Sequence, residues 1–155
     1  MPESPLENAI SCPCAKATKE PVRFRGGSFV VLGLGVTGLW TARWLSREGA
    51  RVTISECRNM ADTVPATVQE LKVLGVDLET GGHREETLMA ADGIILSPGV
   101  PLDLPVLRKA KTGGVPVFGE LELAGRFVRT PVLAVTGTHG KSTVTALLGG
   151  ILRDS

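Results

Sequence analysis

Two segments of this sequence carry residues whose types and spacing suit phosphate chemistry. Thr136-Gly137-Thr138-His139-Gly140-Lys141-Ser142-Thr143 joins two glycines to a lysine and a pair of adjacent hydroxyls. Glycines let backbone N–H groups close around phosphate oxygens. Lys141 reaches the β- and γ-phosphates as a point charge. Ser142 or Thr143 can hold Mg²⁺, which neutralises charge in phosphoryl transfer. The spacing is G-x-x-G-K-S; the general P-loop would need a glycine at position 135, where this chain has Val135. His139 reads as a loop residue lining the nucleotide and not as a base.

The other segment is Gly33-x-Gly35-x-x-Gly38, followed by an acidic residue, Glu56, at the end of the next predicted strand. In this layout Gly33 makes a tight turn, Gly35 lets the backbone approach a phosphate, and Gly38 lets a helix pack close to a sheet. The helix N-terminus offers unpaired N–H groups and a positive dipole end to an anion. Glu56 could accept hydrogen bonds from a hydroxyl or a ring N–H. The motif by itself fits NAD, a UDP-sugar or another nucleotide, and it also fits a ligand-free strand-to-helix turn.

Both segments need a strand before them and a helix behind them, and the chain supplies these. Phe29-Val30-Val31-Leu32 is a continuous apolar run, as a strand covered on both faces should be. A helix is expected from the Gly38 region to about Glu48, with Leu39, Ala42 and Leu45 on one side, Trp40 and Trp44 packing, and Gly49 as its stop. Further strands are expected at Arg51–Ser55, Val76–Glu79, Gly93–Leu96 and Val115–Phe118. Helices are expected at Pro65–Leu74, His83–Ala90, Leu104–Lys111 and Leu121–Phe127. His83 itself reads as a surface turn residue, and Lys109 and Lys111 as a solvated helix end. Glu120 and Glu122, two apart, do not share a helix face and so do not act as a carboxylate pair. The alternation predicts a Rossmann-like α/β domain with a parallel sheet. Near Thr130 a second unit begins: a strand at Pro131–Val135, the glycine loop, and a helix whose stripe is Val144, Leu147, Leu148, Ile151 and Leu152. The domains read as a disordered leader over residues 1–26, a nucleotide-binding domain over 27–128, and the opening of a truncated second domain over 129–155.

Composition narrows the classes of function. The 155 residues are 43% hydrophobic and 21% charged with a net charge of +1. A packed core is feasible, and no basic excess marks a nucleic-acid binder. No run reaches the roughly 18 apolar residues of a membrane span, and Met1–Glu20 lacks a secretory apolar core. Cys12, Cys14 and Cys57 are too few for a disulfide framework, so a reducing cytoplasm is the default. Cys12-Pro-Cys14 lacks the two further ligands that a zinc site requires.

Taken in order, the Gly33–Gly38 turn, Ser97-Pro98-Gly99, Gly119-Glu120-Leu121-Glu122-Leu123 and the Thr136–Thr143 loop resemble the start of a Mur ligase, over about residues 28–155. The likeness is greatest to the branch of that family that adds D-glutamate. His139 stands where this branch more often has Asn, and Glu56 where it more often has Asp. The resemblance implies a cytoplasmic three-domain enzyme of peptidoglycan synthesis, and so of cell-wall growth and division. It would be an ATP-dependent ligase that joins D-glutamate to UDP-N-acetylmuramoyl-L-alanine through an acyl phosphate. Leu34, Gly35, Thr37 and Gly99 would line the UDP-sugar, and Glu56, Cys57 and Arg58 would meet the uracil end and the diphosphate. Gly137, Thr138, His139, Gly140, Lys141, Ser142 and Thr143 would hold ATP, with Lys141 catalytic and Ser142 on Mg²⁺. The family's remaining magnesium carboxylate, histidine, modified lysine and amino-acid domain would lie past Ser155, so the 155 residues alone are expected to be an inactive N-terminal fragment. Two other readings stand beside this one: a NAD-dependent oxidoreductase domain, resting on the first motif and Glu56, and a non-catalytic nucleotide-sugar-binding remnant.

Overall fold

The computed structural model describes residues 24–128 and 130–154. Most of the expected leader, with Cys12 and Cys14, lies outside the described residues. Its last three residues are part of the fold: Phe24 is buried, its ring stacks on Phe29 at 4.9 Å and meets Trp44 edge-on at 5.5 Å. The Gly26 N–H donates to Gly49 O at 2.8 Å.

The chain divides into two compact units, residues 1–120 and 121–155. The first is a wholly parallel five-stranded sheet with helices between its strands. Its elements are β1 (Ser28–Leu32), α1 (Val36–Arg47), β2 (Arg51–Glu56), α2 (Pro65–Val73), β3 (Asp77–Thr80), α3 (Glu85–Met89), β4 (Gly93–Leu96), α4 (Pro105–Thr112) and β5 (Val117–Gly119). The strand order is β3-β2-β1-β4-β5. The chain winds outward from β1 to β3, then returns to lay β4 on the other side of β1, with Val30 opposite Thr53 on one flank and Ile94 on the other. The gap between the carboxyl ends of β1 and β4 is therefore a topological switch point, where open α/β sheets place their ligands.

β1 is apolar without interruption because both of its faces are covered. Val30 and Leu32 pack with Leu88, Ile94, Leu96, Leu107 and Ala110. Phe29 and Val31, which alternate with them, point to the opposite face, where Phe24 and Trp44 join Phe29 to α1. Gly38, Ala42 and Leu45 are the buried positions of α1, while Leu39 is only half-buried. Trp40 does not pack as expected: it is 59% exposed, with the Arg43 guanidinium 4.4 Å from its ring centroid and paired to Glu70.

Several boundaries differ from the sequence reading for local reasons. The Val76 N–H closes the end of α2 by donating to Leu71 O, so β3 starts at Asp77. Pro116 has no N–H, and its carbonyl accepts from Ile94 at 2.9 Å, so β5 starts at Val117. The helix α5 (Glu120–Gly125) gives way to i→i−3 bonds from Arg126 and Phe127. The expected strand at Pro131–Val135 is not formed: Val132 and Leu133 are exposed, and no strand among the described residues lies alongside to share a ladder. The loop and helix that follow are present, as α6 (Lys141–Asp154). None of α6 is buried; Val144, Leu147, Ile151 and Leu152 form an exposed apolar stripe. Among the described residues no helix is long and apolar enough to cross a membrane.

Gly38 is the tightest packed glycine of the switch point. A methyl group there would lie 2.1 Å from Gly33 O and 2.6 Å from Ser97 Oγ. Gly38→Ala is expected to cost about 1–3 kcal/mol, the usual penalty of overpacking, read as a lower urea midpoint at unchanged slope. Gly35→Ala meets no atom within 4 Å and should cost less than about 1 kcal/mol, as a helix N-cap change does. Equal midpoints for the two variants would contradict the packing described.

Candidate functional site

All three buried polar or charged residues among those described, Ser55, Glu56 and Ser97, stand at the carboxyl ends of β2 and β4. Polar groups are costly to bury without partners, and each of these is partnered around the Gly33 turn. Gly33 adopts φ +95°, a left-handed conformation that favours glycine. Its N–H donates to Ser55 O at 2.9 Å, and its carbonyl accepts from Ser97 Oγ at 3.2 Å. The Ser97 N–H in turn donates to Leu32 O at 3.0 Å. Gly99 has φ +90° and open space around its Cα, so the Ser97–Gly99 turn borders the switch point without filling it.

Glu56 is the electrostatic centre of the site. It is 4% exposed. One carboxylate oxygen accepts from the Leu34 N–H at 2.7 Å and from Arg58 Nη2 at 3.1 Å. The other accepts from the Arg58 N–H at 3.0 Å, Arg58 Nε at 3.2 Å and the Cys57 thiol at 3.3 Å. Arg58 Nη2 also donates to Leu34 O at 3.2 Å. The Arg58 side chain and the Leu34 and Arg58 amides hold Glu56 down to a pKa of about 2 against the opposing effect of burial. The same hydrogen bond and charge push the Cys57 thiol up, which keeps it protonated and a poor nucleophile. The carboxylate therefore pins the first residue of the glycine loop and the Arg58 fork in one place.

Beyond that clamp the loop is open. Gly35 caps α1 in extended backbone, and no side chain caps the helix. The first turn of α1 carries no acidic residue, and Thr37 is exposed within it. Its N–H groups and dipole thus face outward, as an anion-binding N-terminus requires. Leu34, Gly35, Thr37, Glu56, Cys57, Arg58 and Gly99 are all placed at this carboxyl end of the sheet.

Two residues here carried no functional signal in the sequence. Ser55 looked like an ordinary strand residue, and His83 like a surface turn. Instead His83 is half-buried, with Nδ1 2.8 Å from the hydroxyl of the fully buried Ser55. Burial pushes its imidazole down from its ordinary value, with the charge of Glu56 acting in the other direction. The expected helix His83–Ala90 accordingly starts only at Glu85.

In the second unit Gly137 and Gly140 have φ +149° and +77°, and a Cβ on Gly140 would meet no atom within 4 Å. Lys141 Nζ turns back onto Gly137 O at 2.5 Å and Thr138 O at 3.4 Å. Thr138, His139, Ser142 and Thr143 are exposed. A glycine cradle, an ammonium beside it and free hydroxyls at the start of α6 fit a polyphosphate. For a divalent cation the loop offers the Ser142 hydroxyl; among the described residues no group of three or more His, Cys, Asp or Glu is placed to hold one.

The chain is similar to known proteins over most of its length. Residues 27–119 match the family model described as Mur ligase MurD-like, N-terminal domain. The chain is 51% identical over 136 residues to the UDP-N-acetylmuramoylalanine--D-glutamate ligase of Desulfosudis oleivorans, covering 88% of this chain and 29% of that ligase. Among solved structures it is similar to a pseudomurein peptide ligase type C from Methanothermus fervidus, with TM-score 0.56 and 30% identity, covering 83% of this chain and 26% of that one. It is also similar to the murein peptide ligase Mpl from Psychrobacter arcticus, with TM-score 0.58 and 26% identity over the same shares.

The depressed pKa of Glu56 predicts an acid-sensitive fold. Its folded value of about 2 lies below its ordinary 4.5, so its contribution is complete above about pH 4.5 and is lost as pH falls through about 2. Glu56→Gln should be less stable at pH 7 by about 1–3 kcal/mol, the cost of breaking buried charged hydrogen bonds. Its stability should also fall less steeply than the wild type's between pH 4.5 and 2. Denaturant titrations at several pH values check this, and parallel pH profiles would contradict it.

Proposed function

We propose, for a chain that belongs to the Mur ligase MurD-like N-terminal domain family, that its α/β unit binds the uridine diphosphate end of UDP-N-acetylmuramoyl-L-alanine. In this reading residues 27–128 form the substrate domain and 129–155 open the ATP-binding domain of a ligase that joins D-glutamate to that substrate in peptidoglycan synthesis. The chain spans 29% of the length of its Desulfosudis relative, and the activity is that of the longer ligase. We place it in the cytoplasm, where a free thiol such as Cys57 persists.

The observation that carries the reading is the Glu56 clamp at the switch point. It holds Leu34 and Arg58 so that the glycine turn, the uncapped start of α1 and the Arg58 guanidinium converge on one anionic group. Gly35 leaves room for a phosphate to meet the backbone, Thr37 offers a hydroxyl beside it, and Gly99 borders the sugar. Glu56, Cys57 and Arg58 meet the uracil end, Glu56 chiefly by fixing its neighbours.

The same clamp weighs against a dinucleotide. That reading needs an acidic side chain at the end of β2 with lone pairs free for ribose hydroxyls. Five donors already converge on the Glu56 carboxylate, so the ribose would have to displace them.

In the second unit Gly137–Gly140 and Lys141 cradle the ATP phosphates, with Thr138, His139 and Thr143 along the loop and Ser142 toward Mg²⁺. When bound, ATP would supply the phosphoryl group that activates the substrate carboxylate, and Mg²⁺ would neutralise the charge on its phosphates. Lys141 leaves its loop carbonyls to meet the β- and γ-phosphates, a short movement for an exposed ammonium.

Calorimetric titration of the 155-residue chain should show saturable binding of UDP-N-acetylmuramoyl-L-alanine and none of NADH. Gly35→Val should weaken the former at least about tenfold, equivalent to about 1.4 kcal/mol. Binding of NADH alone would overturn the reading. The same 155 residues should release no ADP in response to D-glutamate, because among those described the loop has no acidic cluster to complete a metal site. Glutamate-dependent ADP release would contradict that.

A further inference from the structure

His83 lies at the carboxyl end of the sheet, against Ser55, and the reading above leaves it without a role. The chain goes to some length to put it there. Directly after β3, Gly81 and Gly82 take φ +80° and +137°, conformations that L side chains rarely adopt. The two glycines turn the chain back across the end of β2. The Gly81 N–H donates to Arg58 O at 2.8 Å, and the Gly82 N–H to Glu56 O at 3.3 Å. A Cβ on Gly81 would come within 3.2 Å of Asn59 Oδ1. His83 then completes the stitching, with Nδ1 2.8 Å from Ser55 Oγ. Three successive residues thus hold Ser55, Glu56 and Arg58 from the side opposite to Leu34.

Those are the residues on which the glycine turn hangs. Ser55 accepts the Gly33 N–H through its backbone oxygen, and Glu56 accepts the Leu34 N–H. Ser55 is fully buried, and its hydroxyl has His83 as its side-chain partner. A shift of the β2 end by a fraction of an ångström would therefore move Gly33 and Leu34 with it.

We propose that His83, delivered by Gly81 and Gly82, is a positioning residue for nucleotide binding: it acts through Ser55 to set where the end of β2 holds the glycine turn and the Arg58 fork. The imidazole does not touch the nucleotide. This rests on the reading of the switch point as a uridine-diphosphate site.

The test uses the 155-residue chain with UDP as probe, and the variants His83→Ala, His83→Asn and Ser55→Ala. Asn can place a polar atom near the position of Nδ1. His83→Ala is expected to weaken UDP about tenfold, His83→Asn to recover affinity to within about threefold of the wild type, and the His83→Ala/Ser55→Ala double variant to bind no worse than either single one. Wild-type affinity in His83→Ala would overturn the proposal. So would independent, additive losses in the double variant. A purely structural role is separated by urea midpoints: Ala and Asn variants of equal stability but unequal affinity support positioning, and affinity that simply follows stability overturns it. Amide exchange in the ligand-free chain gives a second measurement. His83→Ala should speed exchange at Gly33 and Leu34 while leaving Ile94 and Ile95 unchanged, and unaltered exchange at Gly33 and Leu34 would overturn the proposal. If the wild-type chain itself fails to bind UDP, the nucleotide reading fails, and the exchange rates alone decide whether His83 positions the turn.

Discussion

A buried carboxylate tolerates ionisation only where enough donors replace its lost water, and at Glu56 those donors come from backbone and side chains of two neighbouring loops. Leu34, Cys57 and Arg58 supply them. Because Leu34 lies in the loop after β1 and Arg58 in the loop after β2, satisfying the charge also fixes the two loops against each other. The turn at Gly33 and the position of Arg58 are then two consequences of one electrostatic requirement. Gly38 adds a steric one, since its missing side chain lets α1 approach Gly33 O and Ser97 Oγ.

This view separates two roles that an acidic residue after β2 can have. In a dinucleotide domain its lone pairs face a ribose. Here they face inward, onto the Leu34 and Arg58 amides, the Arg58 guanidinium and the Cys57 thiol. The same strand order and glycine spacing thus allow a carboxylate to face either a ligand or its own loops, which is why fold alone does not give function.

Much of the α/β unit was legible in the sequence because its signals are local. Phe29–Leu32 is apolar throughout since both faces are covered, and Gly33, Gly49 and Gly75 mark turns with positive φ. What was not legible depends on partners distant in sequence. His83 follows two glycines and precedes an arginine, which is the text of a surface turn, and only the folded sheet brings Ser55 to it from 28 positions away. Glu56 stands out in the sequence as a candidate site residue, but the sequence could not show that Arg58, two residues on, would fold back and occupy its oxygens. Pro131–Val135 failed in the other direction: its composition is that of a strand, yet a strand is a paired state, and among the described residues it has no pair. The exposed stripe of α6 follows from the same logic, an apolar face whose pattern is complete while its covering is not among the residues described.

The account stands on the switch point of the sheet being where a nucleotide diphosphate binds. An amide-resolved NMR titration of the chain with UDP tests this most directly, because it reports position as well as affinity. The account predicts saturable shifts concentrated at residues 33–38, 56–58 and 97–99, with the core amides of β4 unmoved. Shifts confined to residues 137–143, or spread without focus over the surface, would contradict it.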